Sequence, residues 1–138
     1  AQLKKLDKFK KIREKNFKRL IKFFEKYEEY FTLPIQERKV ETQWLSFPLT
    51  IKKSAPFTRF QIVNYLEENN IQTRPIFTGV ITKQPGFKNI KYRNGVKTFP
   101  ISEEVMERGF LIGCHHGLEK KHLEKLENTF TSFLSEIK

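Results

Sequence analysis

The chain is poor in cysteine, with Cys114 as its single one, and it lacks long apolar runs. One cysteine cannot form an intramolecular disulfide, and alone it cannot hold a zinc ion or an iron–sulfur cluster. No run is long enough to cross a bilayer, and no apolar leader with a small-residue cleavage site opens the chain. We therefore expect a soluble, cytoplasmic protein without membrane contact.

Catalytic signatures are also missing. The sequence has no phosphate-binding Walker loop, no G-x-G-x-x-G, no G-x-S-x-G and no metalloprotease helix. His115 and His116 follow Cys114, but neighbouring side chains on a strand point to opposite faces, and His122 supplies no carboxylate to complete a metal site. A cysteine after an apolar strand is usually inert. We predict no metal site and no catalytic residue in this chain.

Positive charge is abundant and unevenly placed. The net charge is +11, and residues 1–26 carry eleven Lys and Arg against three Asp and Glu. Three interpretations compete: a nucleic-acid-binding module, a membrane-surface helix, and the solvated face of an amphipathic helix. The third is the usual arrangement, and it is favoured because the aromatic residues of this segment fall on its apolar stripe, where they are not available to stack on bases.

Hydrophobic periodicity predicts seven elements in one domain, residues 1–138. Phe17, Leu20, Phe24, Tyr27 and Phe31 step by three or four, which predicts one long helix. The predicted elements are a helix over 3–31, a strand over 42–52, a helix after residue 58, a strand over 71–77, a helix over 102–108, a strand over 110–112 and a helix over 119–137. This order predicts an α/β or α+β fold, with a small sheet packed by helices.

Finer signals mark the ends and faces of these elements. Pro48 denies one ladder donor and places its strand at an edge or a bulge. Thr58 and Gln61 form a capping box, and Asn69-Asn70 end that helix. Phe60, Val63, Tyr65 and Leu66 mark the same helix. Ser102 is predicted as an N-cap. The inner stripe of the last helix is predicted to consist of Leu123, Leu126, Phe130, Phe133 and Leu134.

The segment 71–87 is the best candidate for a functional surface. Arg74 precedes a proline, and Gly79, Pro85 and Gly86 follow, so the backbone turns and presents Arg74, Thr78 and Gln84 as donors. A guanidinium beside glycines suits a phosphate, a carboxylate or a sugar. The alternative is an ordinary strand and loop with a solvated arginine.

Tyr92-Arg93 is a second candidate, in a loop predicted over residues 85–98. An aromatic ring beside a guanidinium can stack on and pair with a nucleotide or phosphate. A mobile basic loop is the alternative, and base rates for loops favour it.

The segment 71–87, together with the run Gly109-Phe110-Leu111-Ile112-Gly113 and Gly117-Leu118, resembles the C-terminal part of the DegT/StrS-type sugar aminotransferase family. It is most similar to the branch that contains the CDP-4-keto-6-deoxyglucose 3-dehydrases of lipopolysaccharide sugar synthesis. Those enzymes carry a TRP-aromatic-x-G…QP run and a GFxIG…GL run in this order. The resemblance spans nearly the whole chain.

This resemblance implies the C-terminal small domain of a fold-type-I enzyme that uses pyridoxal phosphate (PLP) or pyridoxamine phosphate (PMP). The cofactor pocket, the aldimine lysine or its histidine replacement, and any cluster-binding cysteines then belong to a large N-terminal domain. The helix over 1–31 links the two domains. Because Leu3, Leu6 and Phe9 are in helical period without a preceding cap, we expect an excised piece of a longer protein, inactive and without cofactor alone.

The implied activity is that of a 4-keto-6-deoxyhexose 3-dehydrase or a sugar aminotransferase in lipopolysaccharide or deoxysugar biosynthesis. The implied partners are the large domain, a nucleotide-sugar substrate, a second subunit in a homodimer and, for a dehydrase, a reductase. Matching the motifs position by position implies substrate-binding roles for Arg74, Phe77, Gly79, Gln84, Tyr92 and Arg93. Val80 replaces the asparagine common in relatives, and many lack the doubled histidine, which leaves the sugar and the reaction type open.

Overall fold

The computed structural model describes residues 3–77, 79–93, 95 and 98–137. Helices and strands alternate irregularly along them. Short 3-10 turns lie at Leu3–Lys5, Glu25–Tyr27, Ile81–Lys83 and Pro85–Phe87. The longer elements are α1 (Leu6–Phe24), β1 (Phe31–Thr32), β2 (Ser46–Ile51), α2 (Arg59–Glu68), β3 (Thr73–Pro75), α3 (Pro100–Arg108), β4 (Gly109–Gly113) and α4 (Lys120–Glu136).

The four strands form one sheet in the order β1-β2-β4-β3, and every pairing among them is antiparallel. Residues Phe47, Ile112 and Thr73 stand opposite one another across three strands. Because strand side chains alternate between faces, one face collects the buried residues Phe47, Leu49, Ile51, Phe110 and Ile112. The predicted small sheet packed by helices is confirmed.

Pro48 lies in the middle of β2, opposite Leu111 of β4. On its other side, β1 pairs with Thr50 and Ile51 but does not extend to the proline. The proline therefore lies where β2 has one neighbour. The strand itself is not the predicted edge strand, because β2 lies between β1 and β4 in the sheet.

The core is an aromatic cluster between the buried face of the sheet and helices α1 and α4. Phe24 of α1 is fully buried, and its ring meets Phe130 of α4 edge-on at a centroid distance of 4.9 Å. The same ring lies 5.5 Å from Phe47 and 5.7 Å from Phe31. Edge-to-face pairs of this kind add to the free energy of area burial. Phe24 therefore joins two helices to two strands.

Helix α1 is shorter than the predicted span of residues 3–31. It ends at Phe24, and after a 3-10 turn Phe31 belongs to β1, opposite Ile51. The Lys52 amide donates to the Tyr30 carbonyl at 2.8 Å, which extends this pairing. Phe31 still reaches the core, but from the sheet, so its helical spacing was misleading.

Helix α2 confirms the predicted helix and its capping box. The Gln61 amide donates to Thr58 Oγ1, and the Thr58 amide donates to Gln61 Oε1 at 2.7 Å. Ile62 and Leu66 are buried, whereas Phe60 is 74% exposed. Asn70 ends the helix region with φ of +57°, a conformation that asparagine tolerates better than most residues.

The remaining boundaries differ in detail. Helix α3 begins at Pro100 after Phe99, and no side chain caps it, so the predicted N-cap at Ser102 is wrong. Proline at the first helical position is pre-organised for the helix and has no amide to leave unpaired. Strand β4 extends the predicted strand by one residue at each end. The predicted inner stripe of α4 is confirmed, because all five of its residues are buried.

We expect Phe24→Ala to lower the free energy of unfolding by about 3–5 kcal/mol, because it leaves a cavity among four packed rings. Chemical denaturation followed by circular dichroism measures this change. Phe60→Ala is the matched control, and it should cost less than about 1 kcal/mol because its ring is exposed. Equal losses for the two variants would contradict this description of the core.

Candidate functional site

Arg74 lies in the middle of the short edge strand β3, opposite Leu111 of β4. Its predecessor Thr73 is buried on the core face, so strand alternation places Arg74 on the opposite, exposed face. The strand is therefore oriented to present a guanidinium outside the core.

The start of β3 is fixed by a carboxylate on α2. The amide and the hydroxyl of Thr73 both donate to Glu67 Oε1, at 2.6 and 2.7 Å. These hydrogen bonds, and to a lesser degree the charge of Arg74, hold the pKa of Glu67 below its usual value. Glu67 is thus ionised at neutral pH and ties the strand that carries Arg74 to helix α2.

The loop after β3 carries the other candidates. Phe77 is 87% exposed, and Gly79 has φ of +57°. A Cβ atom added to Gly79 would overlap with the side chain of Met106 on α3. Both the backbone angle and this close approach require glycine. Gly79 therefore holds the loop against α3, while Thr78 lies outside the described residues.

Gln84 is half-buried and precedes the 3-10 turn Pro85–Phe87, and its amide donates to the Ile81 carbonyl at 3.0 Å. Tyr92 and Arg93 are exposed on irregular chain. Asn94, Val96 and Lys97, part of the predicted loop over 85–98, lie outside the described residues.

A cleft of ≈ 320 Å³ lies between the α2–β3 connection, the end of β4 and the first half of α4. We call it the β4–α4 cleft. Its floor is apolar, and cationic and polar side chains surround it. Its described lining consists of Ser46, Asn70, Ile71, Gln72, Arg74, Leu111, Ile112, Gly113, His115, Leu118, His122, Lys125 and Leu126. Of the six candidates from the sequence, Arg74 is in this lining and the other five are not.

The cleft contains three residues that the sequence did not assign to binding: His115, His122 and Lys125. His122 and Lys125 stand one helical turn apart on α4, a spacing that places both on one face. That spacing was visible in the sequence. The approach of this helix to residues 70–74 was not, because it depends on the tertiary fold.

The two histidines have defined hydrogen-bond roles. The Gly117 amide donates to His115 Nδ1 at 3.1 Å, and the Glu119 amide donates to His122 Nδ1 at 3.0 Å. In each neutral ring the proton therefore belongs on Nε2, which is left as a donor. Burial, with help from His116, Arg13 and His122, lowers the pKa of His115 below its ordinary value. Near neutral pH, His115 is thus a neutral donor.

His116 faces another direction from His115. Its ring stacks on Phe9 of α1 at a centroid distance of 3.7 Å, and Arg13 Nη2 lies 3.1 Å from its Nδ1. The expectation that the adjacent histidines diverge is confirmed. Within the described ranges, no three His, Cys, Asp or Glu side chains form a group that could hold a metal ion.

Cys114 is fully buried, and its thiol donates to the Arg13 carbonyl at 3.8 Å. Burial raises the pKa of this thiol to about 12. A thiol that stays protonated is neither a nucleophile nor a metal ligand. The expected burial of Cys114 is confirmed, and its inertness stays a prediction.

Three of the four aromatic residues of α1 point into the core, and the fourth, Phe9, is half-buried against His116. Phe17, Phe23 and Phe24 are buried, while the lysines at positions 4, 5, 8, 11, 15, 18 and 22 are exposed. No described helix has the length and apolar character needed to cross a membrane. The basic face therefore lacks the exposed rings that base stacking or insertion into a lipid interface requires.

We expect Gly79→Ala to destabilise the loop at residues 79–93 by about 1–3 kcal/mol, from the positive φ and the overlap with Met106. Trypsin cleavage after Lys83 and Lys88 should accelerate, because the loop separates from α3 more often. Gly86→Ala is the control, since a Cβ there meets nothing within 4 Å. Unchanged cleavage of the Gly79 variant would refute the anchoring role.

At pH 8 we expect Cys114 to react with a thiol reagent about a thousandfold more slowly in the folded chain than in denaturant. A thiol of pKa about 12 supplies far less thiolate than an unfolded cysteine of pKa about 8.5. Absorbance of the released thiolate reporter measures both rates. Equal rates would mean that the thiol is accessible and ionisable in the folded state.

Comparison with known proteins gives the family. Residues 1–131 match the DegT/DnrJ/EryC1/StrS aminotransferase family. The lipopolysaccharide biosynthesis protein RfbH of Salmonella typhimurium is 33% identical over 133 residues, which cover 96% of this chain and 30% of that protein. GDP-4-keto-6-deoxy-D-mannose 3-dehydratase of Yersinia pseudotuberculosis is 39% identical over 114 residues, covering 83% of this chain and 28% of the relative.

The fold agrees with a solved relative. The structure of E. coli GDP-4-keto-6-deoxy-D-mannose-3-dehydratase with bound hydrated PLP superposes with a TM-score of 0.74 at 28% identity, covering 93% of this chain and 32% of that one. The chain thus spans about 30% of the length of such relatives. On the match over residues 1–131, the chain belongs to the DegT/DnrJ/EryC1/StrS aminotransferase family.

Proposed function

We propose that the chain is the C-terminal small domain of a PLP- or PMP-dependent sugar-nucleotide enzyme in lipopolysaccharide or deoxysugar biosynthesis. The observation that carries this proposal is the family match over nearly the whole chain, combined with relatives about three times as long. Their names include a lipopolysaccharide biosynthesis protein and 3-dehydratases. A 3-dehydrase is therefore the favoured reaction, with an aminotransferase as the alternative.

The cofactor is assigned to the rest of the enzyme. A PLP pocket needs an acidic partner for the pyridinium nitrogen beside its lysine. The β4–α4 cleft contains Lys125, but no carboxylate belongs to its described lining. These residues do not fit the complete cofactor, so we derive no reaction step through it in this chain.

The small domain contributes to the substrate side of the active site. Arg74, exposed on the edge strand, pairs with an oxyanion of the substrate or orients a neighbouring side chain. Phe77 packs on the sugar or on the cofactor's edge. An aromatic ring that is 87% exposed is typical of a surface that a ligand or another domain covers.

The remaining candidates follow from their positions. Gly79 keeps the loop on α3 and so sets the direction of Phe77. Gln84, Tyr92 and Arg93 lie further along the same loop, where amide, phenol and guanidinium groups suit a nucleotide sugar. The large domain and a second subunit complete the site. A 3-dehydrase also needs electrons, from a reductase or from cofactor turnover.

We expect Arg74→Ala in the full-length enzyme to lower kcat/KM about 10–100-fold, as loss of a charged hydrogen bond to substrate costs about 1.5–3 kcal/mol. Steady-state kinetics with the nucleotide-sugar substrate measures this loss. Arg38→Ala is the matched control, since Arg38 is exposed on the β1–β2 connection and outside the β4–α4 cleft. Unchanged kcat/KM in the Arg74 variant would exclude the proposed role.

A further inference from the structure

We infer that the β4–α4 cleft binds the phosphate groups of an organic phosphate, whose remaining part lies on the apolar floor. The inference deepens the proposed function and rests on it for the identity of the ligand, which is the nucleotide part of the sugar nucleotide. It assigns binding roles to Lys125 and His122 of α4 and to His115, in addition to Arg74.

The charge around the cleft has one sign. Arg74 and Lys125 are permanent cations in its lining, and no Asp or Glu is among the described lining residues, although the chain has 16 of them. Within the described part of the chain, no acidic side chain forms an ion pair with either cation. The charge of Arg74 contributes to the lowered pKa of Glu67, but that carboxylate already accepts two hydrogen bonds from Thr73. The cleft therefore has uncompensated positive charge.

This absence of partners distinguishes Lys125 from its neighbours on the same helix. Lys120 lies 3.5 Å from Glu124, and Lys121 lies 3.3 Å from Glu119. Surface pairs of this kind are worth little in free energy. They show that acidic partners are available along α4, while Lys125 borders a cleft without one. An anion entering that cleft would neutralise Lys125 and Arg74 together.

The donors suit a phosphate. Arg74 offers a planar fork, Lys125 a point charge, and His115 and His122 each an Nε2 donor in the neutral ring. Phosphate oxygens accept several hydrogen bonds at once, and arginine pairs with them through two parallel ones. The donors come from β3, from the β4–α4 turn and from α4, so they approach a ligand from several directions.

The N-terminus of α4 does not account for this site by itself. Part of its first turn is already engaged, because Glu119 and His122 form a capping box in which the Glu119 amide donates to His122 Nδ1. The same capping box fixes the ring of His122. The β4–α4 turn is held by Asn16 of α1, 5% exposed, which donates to the His115 carbonyl at 3.0 Å. The two histidine donors are thus pre-organised, which lowers the entropic cost of binding.

The apolar floor of the cleft favours an organic phosphate over an inorganic anion. Leu111, Leu118 and Leu126 give it an apolar surface. A volume of ≈ 320 Å³ lies at the small end of ligand sites. It is sufficient for a diphosphate with part of its attached group, and a flat base or ribose ring suits apolar side chains. The lack of a carboxylate favours a nucleotide over the pyridine ring of the cofactor.

The test is a set of titrations of the 138-residue chain, labelled with ¹⁵N and ¹³C, at constant ionic strength. The probes are CDP, GDP, dTDP, pyrophosphate and pyridoxine 5′-phosphate, and the signals are the ring resonances of His115 and His122. We expect saturable shifts with at least one nucleoside diphosphate, and affinity about tenfold above that for pyrophosphate because the floor contributes. Tighter binding of pyridoxine 5′-phosphate than of any nucleotide would overturn the assignment of the ligand.

Lys125→Ala should weaken nucleotide binding about tenfold, since a charged hydrogen bond is lost. Lys120→Ala removes the same charge from the same helix outside the cleft, and should change affinity less than twofold. Equal weakening by both variants would mean attraction to net charge alone and would overturn the site. The same two variants in the full-length enzyme, with nucleotide affinity measured by calorimetry, decide the matter if the chain alone does not fold.

The two proposals fail separately. If no saturable shifts appear but kcat/KM still falls in Arg74→Ala, the cleft is not a nucleotide site and the proposed function stands. If the full-length enzyme binds a nucleotide in a way that depends on Lys125 but shows no cofactor-dependent turnover, the proposed function is wrong. The cleft would still be a nucleotide site.

Discussion

The alternation of side chains along β4 determines both the stability of the domain and the position of its cleft. Phe110 and Ile112 point into the core, where they pack with residues of β2 and the helices. Leu111 and Gly113 point the other way and line the β4–α4 cleft, which Ile112 also borders from the core side. A shift of one residue in the pairing of this strand would exchange the two sets. Folding and binding therefore depend on a single register, which pairing on both sides of β4 specifies.

Contacts of the neighbouring connections fix the positions of the candidate residues relative to β4. Glu67 fixes the first residue of β3 by two hydrogen bonds, and Arg74 follows directly. Gly79 fixes the next loop against α3 through a contact that no other residue permits. Between these two points the chain presents Phe77 to solvent. Arg74 and Phe77 thus lie on a segment held at both ends, an arrangement that limits the entropy a ligand must remove.

The sequence was informative where the signal is local. The capping box at Thr58, the stripe of α4 and strand β4 each depend on residues within a few positions of one another, and all three are confirmed. Prediction failed where tertiary contacts override periodicity. Phe31 fits the helical spacing of α1 but pairs with Ile51 in the sheet. The cleft brings residues 70–74 to residues 115–126, and no local pattern contains that information.

The contacts of α1 with the β4–α4 turn have a mechanical meaning. Phe9, Arg13 and Asn16 touch His116, Cys114 and His115 through a ring stack and hydrogen bonds. Three successive turns of one helix are thereby attached to three successive residues, of which His115 lines the cleft. A rotation of α1 about its own axis cannot leave His115 in place unless these bonds break. A domain attached to the start of α1 would hence displace His115 when it moves. Helix α1 would couple the motion of that domain to the position of a donor in the cleft.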